Sequence, residues 1–312
     1  MLKALHLRAQ LLAKIREFFT KHDVLEVETP LLSHSSITDP NLHSFMTQYR
    51  ISSDKRPETL YLQTSPEFAM KRLLASGCGS IYQICKAFRN SEYGHQHNPE
   101  FTILEWYRVG FDHHELMDEM DEFLHFILNS APAEKLSYHQ VFEKYLKINP
   151  HTSSTDELQK YALRKGLNNI SKLDRDGWLN ILLTHFIEPY LGHNKPTFIY
   201  DFPASQAALA KINKKSSAVA ERFEVYINGI EIANGFHELT DAREQRQRFV
   251  TDLQKRRELN LPKVLIDENF LSALDNNFPN CAGVAVGVDR LLMLLMETKS
   301  IKDVISFPID CI

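Results

Sequence analysis

An α+β fold, an antiparallel sheet flanked by helices, is predicted by three features of the 312-residue sequence. Leu7, Leu11, Ile15 and Phe18 recur at helical spacing, so the first twenty or so residues read as an amphipathic helix. Asn228-Gly229 between two alternating runs signals a hairpin closed by a type I′ turn, within residues 223–236. Near the C-terminus, Gly283-Val284-Ala285-Val286-Gly287 reads as a strand whose glycines let a bulky group approach the backbone, and Asp289-Arg290 heads an apolar helix.

The remaining elements follow in order. Leu25-Glu26-Val27-Glu28 alternates like a strand and stops before Pro30. Residues 61–63, 81–88 and 101–109 read as strands, with helices over 66–75 and 115–128. Residues 149–191 are mostly helical, with loop signals at His151-Thr152-Ser153-Ser154 and Asp174-Arg175-Asp176-Gly177. Without a Pro/Gly/Ser-rich linker or an internal repeat, residues 1–312 are expected to form one domain, with this stretch as a helical insertion.

Composition narrows the function. Apolar content of 43% and charged content of 24% describe an ordinary globular chain. A formal net charge of −4 supplies no general attraction to nucleic acid. The four cysteines, Cys78, Cys85, Cys281 and Cys311, form no C-x-x-C pair and no metal-ligand spacing, which favours reduced thiols. No signal peptide or membrane span is expected, so the protein is expected in the cytoplasm.

Chemistry is concentrated in three places. In the 223–236 hairpin a two-residue loop pairs Ile227 with Ile230, Tyr226 with Glu231, Val225 with Ile232 and Glu224 with Ala233. Glu224 and Glu231 then share a face as diagonal neighbours, either bridged by a cation such as Mg²⁺ or simply solvated. Arg290, at the head of its helix, offers donors for phosphate oxygens, although a surface salt bridge would serve equally. Phe88-Arg89-Asn90-Ser91-Glu92 ends a strand in an arginine, and a polar loop leads to His97-Asn98-Pro99-Glu100 and a returning strand. On that strand Phe101 has the face of an aromatic that could stack a purine, or of an ordinary core residue, while Glu105 and Tyr107 point the same way. His95 and His97 make one H-x-H, a weak metal signal, and read better as loop histidines near phosphate.

Together these segments resemble class II aminoacyl-tRNA synthetases. The Arg89 segment resembles motif 2, residues 283–290 resemble motif 3, and Pro30 falls where motif 1 has its proline. Thr64-Ser65-Pro66-Glu67, residues 97–102 and Glu231-Ile232-Ala233-Asn234-Gly235-Phe236-His237-Glu238-Leu239 resemble lysyl-tRNA synthetases over nearly the whole chain. Motif 1 begins within the first residues, so no anticodon-binding domain is expected, and the sequence looks like the stand-alone paralogues, the elongation factor P–(R)-β-lysine ligases. Ala285 and Ala233 stand where lysyl-tRNA synthetases have glycine, a change that can shift preference from α-lysine toward an isomer.

The resemblance implies an ATP-dependent ligase. An aminoacyl-adenylate forms with loss of pyrophosphate, and a lysine amine of elongation factor P then displaces AMP to give an amide. It implies Arg89 on the α-phosphate, Arg290 on the γ-phosphate, Glu224 and Glu231 on Mg²⁺, and Phe101 against adenine. It further implies nucleotide contacts at Asn90, Ser91, Glu92, His97, Asn98, Val225 and Gly287. Ser65, Glu67, Glu105, Tyr107, Glu231, Asn234, Glu238 and Ala285 would line the site for lysine or (R)-β-lysine. A homodimer is implied by motif 1; tRNA is not expected as a substrate.

Two departures stand out. Motif 2 usually reads Arg-x-Glu, but Ser91 occupies the glutamate position and Glu92 follows it. Strict alternation also sets Asn234 opposite Glu231, which a bulge near Asn234-Gly235 would correct. The rival readings are a minimal lysyl-tRNA synthetase and a non-catalytic sensor of amino acid or nucleotide.

Overall fold

The computed structural model describes residues 1–168, 170, 173–213 and 219–312. In chain order the elements begin α1 (Leu2–Lys21), β1 (Leu25–Glu26), β2 (Leu32–Ser33), β3 (Met46–Tyr49), β4 (Glu58–Leu62), α2 (Glu67–Ala75), β5 (Ile81–Phe88) and β6 (Glu100–Val109). Then come α3 (His113–Leu128), β7 (Glu134–Ser137), α4 (Tyr138–Leu146), α5 (Thr155–Arg164), α6 (Arg175–Phe186), β8 (Thr197–Pro203), β9 (Ile212–Asn213), β10 (Val219–Ile227) and β11 (Ile230–His237). The chain closes with α7 (Ala242–Glu258), α8 (Glu268–Asp275), β12 (Cys281–Gly287) and α9 (Val288–Met296). Two compact units result, one from Met1–Gly110 with Leu239–Ile312 and the other from Phe111–Glu238.

In the first unit the strands run β1-β5-β6-β12, antiparallel except for the edge pair β1–β5, and β2-β4-β3 form a small separate sheet. Of the stripe expected on α1, Leu11, Ile15 and Phe18 are buried and Leu7 is half-buried, while Phe19 joins the buried face. Phe19 stacks on Tyr82 of β5 with ring centroids 4.3 Å apart and meets Trp106 of β6 edge-on at 5.2 Å, contacts that seat α1 on the sheet.

The second unit runs β11-β10-β8-β7, with β9 also on β10. Its edge pair β7–β8 is parallel. Parallel neighbours need a long crossover, and α4, α5 and α6 lie in that connection. These helices bury Tyr138, Phe142, Leu158 and Trp178 in one cluster with Phe202 of β8. The helical character expected over 149–191 is met by α5 and α6, while positions 169, 171 and 172 lie outside the described residues.

Two expectations need correction. Asp174-Arg175-Asp176-Gly177 opens α6 and is not a loop: Asp174 is the N-cap, and its carboxylate accepts from Gly177 N at 2.8 Å. α3 starts two residues before the expected Glu115, because Asp112 caps it and Glu115 closes a capping box.

Candidate active site

The hairpin of β10 and β11 turns through Asn228 and Gly229, both at positive φ (52° and 73°), as a type I′ turn requires. The register agrees with expectation for Ile227↔Ile230 and Tyr226↔Glu231, then departs. A bulge makes Val225 oppose Ala233 and Glu224 oppose Asn234, with Ile232 as the extra residue. The correction lies two residues nearer the turn than Asn234. Beyond it the alternation is reset, so Glu231, Asn234 and Glu238 share the face of Glu224 and Tyr226. Ala233 and the fully buried Val225 take the opposite, core face. Gly235 is required on that core face: a Cβ there would fall 2.3 Å from Phe223 Cζ.

Glu224 is buried, accepts from Tyr226 Oη at 2.6 Å and pairs with Arg222. Arg222 also donates to Asn234 Oδ1 at 3.2 Å and lies over the Phe202 ring, which fixes its guanidinium. Burial pushes the Glu224 carboxyl up to about 7; Arg222 opposes the shift and the charge of Glu231 adds to it. Two carboxylates on one strand face, one of them buried, are a donor set that fits an oxygen-ligated divalent cation.

The first unit holds a second group of carboxylates. Glu105 is buried on β6 and accepts from Tyr107 Oη at 2.6 Å. Ala285 of β12 is its direct cross-strand partner, so the methyl stands on the same face beside the carboxylate. Glu67 opens α2, where Ser65 Oγ accepts from its backbone N–H at 3.1 Å. Lys71, one turn on and 1% exposed, donates to Glu67 Oε1 at 2.5 Å. Burial pushes Glu105 up to about 8, Glu67 adds to the shift, and Tyr107 and Lys71 oppose it. Two carboxylates and one internal cation leave a place suited to an ammonium ion.

The arginines of the same unit follow strand ends. Arg89 comes directly after β5, with its guanidinium 5.1 Å from the centre of the Phe101 ring on the neighbouring strand. Ser91 adopts a left-handed conformation (φ 70°), and the turn this makes brings Glu92 Oε1 to 3.7 Å from Arg89 Nη1. The displaced glutamate thus reaches the motif arginine by a tighter loop. Asn90 is exposed, and its N–H donates to His43 O at 2.7 Å. Arg290, in the first turn of α9, contacts His97 Nε2 at 2.8 Å through Nη2, while Gly287 caps that helix. Asn98 is buried, and its amide bonds backbone groups at Glu100 (2.7 Å) and Ile309 (3.1 Å).

Sequence reading missed the residues that support these groups. Lys71 and Arg222 are internal counter-ions, and nothing in a helical or alternating pattern distinguishes them from surface cations. Asp289 is buried, accepts from Thr102 N at 2.7 Å and pairs with Arg8 of α1, tying α9 to β6. The Asp-Arg dipeptide was legible; only the fold shows that its aspartate points inward.

A family profile described as class II tRNA synthetases (D, K and N) matches residues 1–310. The chain belongs to this family. Among curated relatives, the elongation factor P–(R)-β-lysine ligases of Salmonella paratyphi B and Salmonella typhimurium are each 52% identical over 305 residues, 97% of this chain and 94% of theirs. Among the described residues, no helix is long and apolar enough to cross a membrane. The α+β class and the class II resemblance expected from sequence both hold.

Proposed function

We propose that this class II family member activates (R)-β-lysine, or lysine, with ATP and joins it in amide linkage to a lysine side chain of elongation factor P. The observation that carries the substrate class is Glu105, buried beside Glu67 with Lys71 as an internal cation. The curated names of its 52%-identical relatives support the acceptor.

Glu105, Glu67 and Tyr107 receive the substrate's ammonium group, with Ser65 and Ala285 shaping the approach. Glu238, Glu231 and Asn234 supply the hydrogen-bonding face of the second unit. Arg89 holds the α-phosphate as the amino-acid carboxylate displaces pyrophosphate, and Arg290 holds the γ-phosphate; both act by charge placed before the reaction. Phe101 offers its ring to adenine, and Glu92, His97, Asn98 and Gly287 complete the nucleotide contacts. Glu224 and Glu231 would hold Mg²⁺, which would neutralise phosphate charge. In the second step the acceptor amine attacks the activated carbonyl, AMP leaves, and the amine's proton passes to solvent or phosphate. Residues 1–312 act as one catalytic domain of a cytoplasmic homodimer.

The test is the intact mass of elongation factor P after incubation with the protein, Mg-ATP and either lysine isomer, with tRNA in a parallel reaction. A gain of one lysyl unit without tRNA charging is expected. Charged tRNA with unmodified elongation factor P would make it a minimal synthetase, and no product in either would point to a sensor.

A further inference from the structure

We propose that His113, Glu221 and His237 form a binding site for a divalent transition-metal ion of the zinc type, on the face of the hairpin opposite Glu224 and Glu231. Three elements of the second unit converge there. His113 is the first residue of α3, Glu221 lies in β10, and His237 ends β11. The bulge at Ile232 gives His237 the parity opposite to Glu231 and Glu238. Glu221 directly precedes Arg222 and lies three residues before Glu224, so alternation along β10 sets it on the face away from both. One ligand atom from each of the three residues lies within 4.8 Å of the other two.

The feature that points to a ligand is His113. Its residue is 5% exposed, and both ring nitrogens are buried without a hydrogen-bond partner. Leaving a buried donor or acceptor unmatched is costly, and such groups are rare unless something else binds them. Asp201 Oδ1 stands 3.5 Å from His113 Nε2 and adds a second carboxylate to the cluster. Asp201 itself has φ 58°, the left-handed region, opposite the irregular stretch of β10. His114 and Tyr200 flank the group, the His113 and His114 rings lying 4.1 Å apart and the His114 and Tyr200 rings 5.3 Å apart.

The donor set selects the ion. Two imidazoles with a carboxylate suit zinc and its first-row neighbours, whereas Mg²⁺ and Ca²⁺ prefer oxygen alone. Bonds of about 2.0–2.2 Å require ligand atoms about 3.3–3.6 Å apart in a tetrahedron. The three ligand atoms, all within 4.8 Å of one another, would have to adjust to that spacing on binding. His237 Nδ1 and Glu221 Oε2 are now 2.5 Å apart, so binding must open this hydrogen bond, its proton passing to His237 Nε2 or to solvent. The bound ion would clamp α3 to β10 and β11, the strands that carry Glu224, Glu231 and Asn234 on their other side.

The test uses the full chain after chelator treatment, with Zn²⁺ and Co²⁺ as probes. Expected are one equivalent of Zn²⁺ per chain against a chromophoric chelator, visible Co²⁺ absorption bands saturating at the same stoichiometry, and a higher unfolding midpoint with Zn²⁺. His113→Gln and Glu221→Gln should each weaken Zn²⁺ binding at least tenfold and abolish the midpoint shift. His139→Gln, in the pair stacked at 6.1 Å with His151, should leave both unchanged. Should His113→Gln fail to fold, Glu221→Gln decides alone. Binding unaffected by Glu221→Gln, or lost equally in His139→Gln, would overturn the site, as would the absence of stoichiometric binding by the wild type.

Discussion

Glu105 of the first unit and Glu224 of the second are both buried glutamates on a strand, each accepting a 2.6 Å hydrogen bond from the tyrosine two residues on. Their counter-charges differ. Arg222 pairs with Glu224 itself, whereas Lys71 is bonded to Glu67, leaving Glu105 to share it through space. Both carboxyls are pushed up, Glu224 to about 7 and Glu105 to about 8, with burial as the largest cause in each. The opposing groups differ: Arg222 and Tyr226 at Glu224, Tyr107 and Lys71 at Glu105.

The arginines set the scale against which the two carboxylates should be compared. Arg89→Ala and Arg290→Ala should each lower amino-acid-dependent pyrophosphate exchange by about 10³-fold or more, with unfolding midpoints close to wild type. Glu224→Gln should lower kcat by about 10²-fold and raise the Mg²⁺ concentration needed for half-maximal rate. Glu105→Gln should instead act on KM for the amino acid, by about ten- to a hundredfold, the loss of a charged hydrogen bond worth about 1.5–3 kcal/mol. The same Mg²⁺ dependence in both variants would erase the distinction. Lys71→Met should destabilise the fold by about 3 kcal/mol, because Glu67 and Glu105 would lose their shared cation; denaturant unfolding measures it.

A further effect is one of pH. A glutamate whose carboxyl is raised in the folded state binds its proton more tightly there, so its contribution to stability falls as pH rises. For Glu105 the loss runs from the ordinary glutamate range near 4.5 to about 8, with a slope of at most about 1.4 kcal/mol per pH unit. Glu105→Gln should flatten unfolding stability over that window and leave it nearly unchanged at pH 4. An unaltered slope would mean that Glu105 is ionised in the folded protein.

Much of the scaffold was legible because it is locally encoded. The α1 stripe, β5 with its terminal arginine, the type I′ hairpin and the Gly-bracketed β12 each follow from a periodic pattern or a turn residue. Parallel β1–β5 and β7–β8 edges were not legible, since pairing across a crossover leaves no local trace. Asp174 was misread because Gly177 in the first helical turn resembles a loop signal. In the candidate site, the positions that match the motifs were readable by residue type, while Lys71, Arg222 and Asp289 depend on burial that only the fold determines.

Ile232 makes β11 behave like a reading frame. Glu231 and Asn234 are three residues apart, an odd step that alternation would split between faces, and the one surplus residue restores their agreement. Substitutions along this strand change one side chain at a time. A single deletion or insertion between Asn234 and His237 would transpose every side chain beyond it, sending Glu238 inward and His237 outward together. Such a lesion should be rescued more readily by a second length change nearby than by any point substitution, so relatives of this protein are expected to vary in β11 by residue identity far more than by length.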